Sequence, residues 1–300
     1  MSVTAWSRRL SPAVVSFSVA SGVRPLGDGT FMAELSPVWT IGGRPHGGYL
    51  LAVLTRAALA SVDPRGQNGG LDPVAVSAEF LSSPEVGPAM VRTEVRKTGR
   101  TLSVVRSTLE QRGRVCVEAS VTLGRLSAEP EVVWADLPQL PASPTPRSVD
   151  LGALPLAEAF RVTKGCELRL DTSTAVFLSG ATGDDEQNRA VGDPVLRMWT
   201  RPKGERTDLL FALVAGDITP PVTFNLGRIG WSPTVQLTAL LRARPAPGWL
   251  RVEARCRAVH GQWFDEDLVV VDSAGRLVCQ ARQLALAPAD PAREQPREQR

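Results

Sequence analysis

Residues 46–60 read HGGYLLAVLTRAALA, followed at 73–81 by PVAVSAEFL and at 91–123 by VRTEVRKTGRTLSVVRSTLEQRGRVCVEASVTL. The first stretch carries apolar residues at helical spacing, opens on two glycines and closes before the Asp63-Pro64 breaker. That predicts a helix over residues 46–61. The later stretches alternate with a period of two. Val115, Val117, Ala119, Val121 and Leu123 face one way, and Cys116, Glu118, Ser120 and Thr122 the other. One helix, then four strands joined by short turns, is the order these residues spell.

The same order recurs at TDLLFALVAGDI (207–218), PTVQLTALL (233–241) and LRVEARCRAVHGQWFDEDLVVVDSAGRLVCQARQLAL (250–286). A slide of about 160 residues sets Pro73 on Pro233, and Gly113-Arg114 falls on Gly275-Arg276 one or two residues later. DSAGR (272–276) reads as a turn between two strands. Shorter strands are expected around 14–20 and 30–36, and again around 167–179 and 193–201. A long helix wrapped by an antiparallel sheet is the hotdog unit, so the expected fold is α+β, a tandem (double) hotdog. Its parts are an N-terminal domain over 1–126, a Pro-rich acidic linker over 127–150, a C-terminal domain over 151–287 and a disordered Pro-, Arg- and Glu-rich tail over 288–300. The two units are expected to pair sheet edge to sheet edge, covering edges otherwise left open.

Composition narrows the function. Hydrophobic residues make up 43% of the 300, enough for a sizeable core, and the net charge is only +3. Acids and bases are interspersed, with no basic stripe and no interleaved aromatics, which argues against a nucleic-acid partner. The four cysteines (116, 166, 256 and 279) form no metal-ligand spacing, so no metal is expected, and they read as free thiols of a cytoplasmic protein. No signal peptide or membrane span is recognisable, so no membrane insertion is expected.

Where the halves differ, chemistry is expected. Val74, Val76, Ala78 and Phe80 in the first half are set against Thr234, Gln236, Thr238 and Leu240 in the second. On the last strand Val121 is set against Gln283, and on the helix Ala57 against Asp217. Buried polar groups cost about 1–3 kcal/mol each without partners, so a converging set satisfies itself or holds a water.

The chain also resembles the thioesterase II-type acyl-CoA thioesterases, the double-hotdog family. The resemblance spans roughly residues 15–287 and rests on WT-x-GGRPHGGYLLA (39–52), Asp217 in AGDITP, Thr234 in PTVQLT and Gln283 in LVCQARQ. It implies hydrolysis of an acyl-CoA, without a cofactor, by a water that Asp217, Thr234 and Gln283 position. Gln236-Leu237 stands where the family often has Asp-His. The orphan amides of Gly47 and Gly48 at the helix start are candidate oxyanion donors, and His46, Gln236 and Thr238 are candidate substrate contacts. Homo-oligomers are compatible with such a fold.

Other readings stay open at this point. A hotdog hydratase or dehydratase needs a His paired with an acid, commonly five residues apart; Ile41 and Arg255 stand five before His46 and His260. A non-catalytic acyl-CoA or lipid-binding hotdog protein would bind without turnover. No GxSxG, GxGxxG or Walker pattern supports a serine hydrolase or a nucleotide site.

Overall fold

The computed structural model describes residues 16–63, 70–128, 132–179 and 192–288. The first half contains a one-turn helix α1 (Phe17–Ala20), strands β1 (Val23–Gly27) and β2 (Thr30–Leu35), and a small hairpin, β3 (Thr40–Ile41) and β4 (Arg44–Pro45). Helix α2 (Gly47–Val62) and strands β5 (Asp72–Phe80), β6 (Gly87–Thr98), β7 (Ser103–Gln111) and β8 (Arg114–Gly124) follow. The second half contains β9 (Ser148–Asp150), β10 (Cys166–Asp171), β11 (Val195–Pro202) and helix α3 (Leu209–Ala215). It ends with β12 (Thr234–Leu241), β13 (Leu250–Arg255), β14 (Val259–His260), β15 (Trp263–Val271) and β16 (Leu277–Leu286).

All the strands except the β3–β4 hairpin join one antiparallel sheet, ordered β1-β2-β6-β7-β8-β5-β12-β16-β15-β13-β11-β10-β9, with β14 beside β15. Apart from β9, which is added at one end, the order mirrors itself about the β5–β12 seam, so the two halves are related by a local two-fold and meet edge to edge, as expected. α2 packs on β5 to β8, α3 packs on β11, β12, β13 and β16, and the helices touch each other. One continuous apolar core runs through both halves, from Leu50, Leu54, Val105 and Val121 to Phe211, Leu213, Leu237 and Val252. This is the double hotdog.

Several boundaries depart from the sequence-based expectation. Residues 17–20 form a helical turn rather than a strand, because Trp39 and Phe211 enclose Phe17 edge-on at ring distances of 5.1 and 5.5 Å. Strand β10 stops at Asp171, whose carboxylate accepts from the Ser173 N–H and closes a turn. Within the expected linker, the Leu140 and Pro141 carbonyls accept from Arg251 Nη1 and Trp199 Nε1. The linker's last three residues, however, are β9, an edge strand on β10. The second helix is short: α3 has 7 residues against 16 in α2. Gly216 ends it, and Pro220-Pro221 forbid its resumption. Of the expected tail only Pro288 lies within the described residues, and expectations for 1–15 lie outside them.

The repeat register also needs correction. β5 pairs Val76 with Val121 and Ala78 with Ala119, whereas β12 pairs Leu237 with Gln283 and Ala239 with Ala281. Val76 therefore corresponds to Leu237, and Pro73 to Thr234 rather than to Pro233. A one-residue slip moves every side chain of a strand to the other face. Leu237, Ala239 and Leu241 are the buried set, and Gln236 and Thr238 point outward with Ala75 and Ser77.

Candidate active site

A cavity of about 440 Å³ opens where the N-terminus of α2 meets the end of α3, with walls from both halves. The N-terminal half supplies the β3–β4 hairpin, His46, Gly47 and Phe80. Gly42 and Gly43 turn that hairpin at φ of 57° and 77°, a region that favours glycine. The Gly42 N–H donates to the Ala159 carbonyl, and this holds Leu156, Ala159 and Phe160 of the second half against the hairpin. The C-terminal half supplies Asp217, Thr219, Thr234, Glu266 and Gln283.

Asp217 lies two residues past α3, with its side chain 7% exposed. Its Oδ2 accepts from the Gly48 N–H at 2.7 Å, so the carboxylate sits on the positive end of α2. His46 is the N-cap of α2. Its Nδ1 accepts from the Tyr49 N–H at 3.2 Å, which leaves Nε2 as the protonated nitrogen. That Nε2 stands 2.8 Å from the Asp217 carbonyl oxygen and 3.4 Å from Oδ2. The imidazole thus holds the backbone of Asp217 and stands beside its carboxyl. Burial pushes the Asp217 carboxyl above its ordinary range, against the lowering influence of His46 and of the Gly48 N–H. A desolvated carboxylate of this kind is a stronger base than one in water.

Another part of the wall is a hydrogen-bonded row. Thr234 Oγ1 donates to Gln283 Oε1 at 2.7 Å. Gln283 Nε2 donates to Glu266 Oε2, and Glu266 Oε1 accepts from the Val222 N–H at 2.7 Å. Thr234 reaches this row because β12 is bulged between Thr234 and Gln236, which turns Thr234 inward while Gln236 points out. Glu266 is 1% exposed, and burial, with smaller contributions from Asp217 and Asp265, pushes its carboxyl up to about 8. Thr219 Oγ1 and Ser232 Oγ line the same cavity and are buried without a partner among the described residues. Phe80, Phe160, Phe224 and Phe264 make much of the rest apolar, with Ile229 and Trp231 exposed among the lining residues.

Of the residues singled out from sequence, Asp217, Thr234, Gln283, His46 and Gly47 line one cavity. Gly48 adjoins it, but its N–H is spent on Asp217; among the described residues the Gly47 N–H has no partner. Gln236 and Thr238 are not in the wall. Gln236 is exposed on the outer face, and Thr238 bonds Ser77 Oγ at 2.7 Å across the seam. Aligned on their N-caps, His46 and Asp208, the helices set Asp217 against Thr55 rather than Ala57. Sequence reasoning missed Glu266. The signal was there: β7 pairs Val105 with Val121 and β15 pairs Glu266 with Gln283, so Glu266 replaces a fully buried valine.

The chain matches known proteins along both halves. The family profile described as the acyl-CoA thioesterase N-terminal domain matches residues 35–124, and the corresponding C-terminal domain matches residues 135–287. An uncharacterized protein of Mycobacterium tuberculosis is 41% identical over 300 residues, covering 91% of this chain and 98% of its own. A structure described as a thioesterase II from Thermobifida fusca superposes with a TM-score of 0.77 at 32% identity, over 90% of this chain and 97% of that one. A hot dog fold protein from Alicyclobacillus acidocaldarius has a TM-score of 0.73 at 20% identity, over 91% and 98%, and shares the fold alone.

Proposed function

The chain belongs to the acyl-CoA thioesterase family, whose two domains it carries in order, and from that premise we propose that it hydrolyses an acyl-CoA thioester through a water held at Asp217. The observation that supports this most is the desolvated Asp217 carboxylate lining the same largely apolar cavity as the hydrogen-bonded Thr234–Gln283 pair. Oδ2 is committed to the Gly48 N–H, which leaves Oδ1 to take a proton. Thr234 gives its own proton to Gln283 Oε1, so its oxygen accepts the water's other O–H. The water oxygen then bonds to the thioester carbon as one of its protons passes to Asp217. The Gly47 N–H, at the positive end of α2, and the unpartnered hydroxyls of Thr219 and Ser232 are donors for the carbonyl oxygen as it gains charge. Collapse breaks the C–S bond and releases the thiolate, which takes up the proton, and the free acid leaves.

A thiolate departs readily, so one carboxylate base suffices and no covalent nucleophile is needed. The acyl chain would lie against Leu50, Phe80, Phe224 and Phe264. Arg44 is an exposed cation among the lining residues, suited to a CoA phosphate. Asp217→Asn keeps the size and one acceptor but no longer takes a proton. Thiol release from acyl-CoAs of short to long chain, followed with a thiol-reactive dye, is expected from the native protein and lost in Asp217→Asn by on the order of 100-fold or more. Unchanged release by the variant would remove Asp217 from the mechanism.

A further inference from the structure

We propose that Glu266 is a positioning residue of this site: by accepting from Gln283 Nε2 it fixes the amide so that Gln283 Oε1 takes the Thr234 hydroxyl proton and the Thr234 oxygen is left to hold the attacking water. The inference rests on the hydrolytic reading above and adds the residue that gives the Thr234–Gln283 pair its direction.

An amide carries two donors at one end and an acceptor at the other, so its neighbours decide which way it points. At one end of Gln283 stands Thr234, which can give or accept. At the other stands Glu266, both of whose carboxyl oxygens accept in this structure: Oε2 from Gln283 and Oε1 from the Val222 N–H at 2.7 Å. Two inward-pointing donors are the surroundings of an anion. With Glu266 ionised, only one amide orientation avoids setting oxygen against oxygen, and the Thr234 proton is drawn away from the cavity. A proton on Oε2 removes that constraint. The amide then turns over, Thr234 accepts from the Gln283 NH₂, and its own O–H points elsewhere.

Other groups do not provide this direction. Asp217 and Asp265 are the charges that act on Glu266, and both oppose its ionisation. Asp265 is itself held by Arg282 and by the backbone N–H groups of Arg257 and Ala258. His46 and Arg44 also line the cavity, but His46 is committed to Asp217 and Tyr49, and Arg44 is exposed. The local two-fold supports a role in the reaction, because the counterpart row in the first half, Pro73, Val121 and Val105, has no polar side chain at all. Where the hydroxyl and the amide are absent, so is the carboxyl.

The ionised form is the productive one, and burial pushes this carboxyl up to about 8. In the native protein kcat for thiol release should therefore rise with pH through a midpoint near 8. Glu266→Gln keeps the volume but can satisfy only one of the two donors. It should lower kcat on the order of 10- to 100-fold at constant KM and abolish the rise. In ¹⁵N-labelled native protein the Gln283 side-chain amide should shift with the same midpoint, a readout that needs no turnover. An amide that titrates in a protein releasing no thiol would refute hydrolysis while leaving the directed row intact. A Gln283 amide that stays unchanged from about pH 6 to 10 would overturn the proposal, as would a Glu266→Gln enzyme with native kcat and pH profile. If that variant does not fold, the native titration alone decides.

Discussion

Gly48 has no room for a side chain: a Cβ there would stand 2.6 Å from the Leu213 carbonyl oxygen and 2.8 Å from Val214 Cα. Both neighbours are backbone, so relief requires the ends of α2 and α3 to part, and the Asp217–Gly48 contact would part with them. Gly48→Ala should cost about 1–3 kcal/mol in urea denaturation. The displaced base should also slow thiol release on the order of 100-fold; native stability would show that the ends of α2 and α3 have room to part. At this scale the sequence was readable where a polar residue replaced an apolar one at a buried position, as with Thr234 and Gln283. It was unreadable where alternation alone was followed through a bulge. Gln236 and Thr238 look inward on a strict count of two and point outward because Val235 is the extra residue. Nothing local in PTVQLT announces that bulge.

The start of α2 carries two duties through one side chain. His46 Nδ1 caps the helix at Tyr49, while Nε2 holds the Asp217 carbonyl. The two can be separated. His46→Ala should lose about 1–3 kcal/mol of stability, from the missing cap and the unsatisfied buried groups it leaves. Asn is a good N-cap but is too short to reach Asp217. His46→Asn should recover much of that stability in denaturant titrations and little of the thiol release. Equal recovery of both would mean that the imidazole acts only as a cap. The long elements were legible because their periods are strong, α2 over sixteen residues and β8 over eleven. β9 was not. Its residues belong to a proline-rich acidic stretch, and what orders that stretch is Trp199 and Arg251, far away in the chain.

Edge pairing joins the halves into one sheet over one core, and this has a calorimetric consequence. Unfolding either half would expose the β5 or β12 edge and open the apolar cluster that both share. The Asp72 carboxylate, whose side chain is 7% exposed, adds a tie, accepting from Arg244 Nε and Nη2 at 3.0 and 2.8 Å across the halves. Heating should therefore give a single cooperative transition whose calorimetric and van't Hoff enthalpies agree. Two resolved transitions would mean that the halves are independent. The seam was foreseeable from the repeat, since two half-buried sheets in one chain leave two edges to hide. That only one of two equivalent rows of side chains is polar was visible too, in Val121 against Gln283. How the helices cross was not, because the contact between Gly48 and Asp217 joins residues with no pattern in common.

Ser77 and Thr238 face each other directly in the seam, and each is the other's counterpart in the repeat. A side chain on a rotation axis meets its own image. It must therefore be one that tolerates a copy of itself at bonding distance: a hydroxyl, which gives as well as takes, or a small apolar group. A lone carboxylate or ammonium there would repel its reflection, so the position bars formal charge by symmetry rather than by burial.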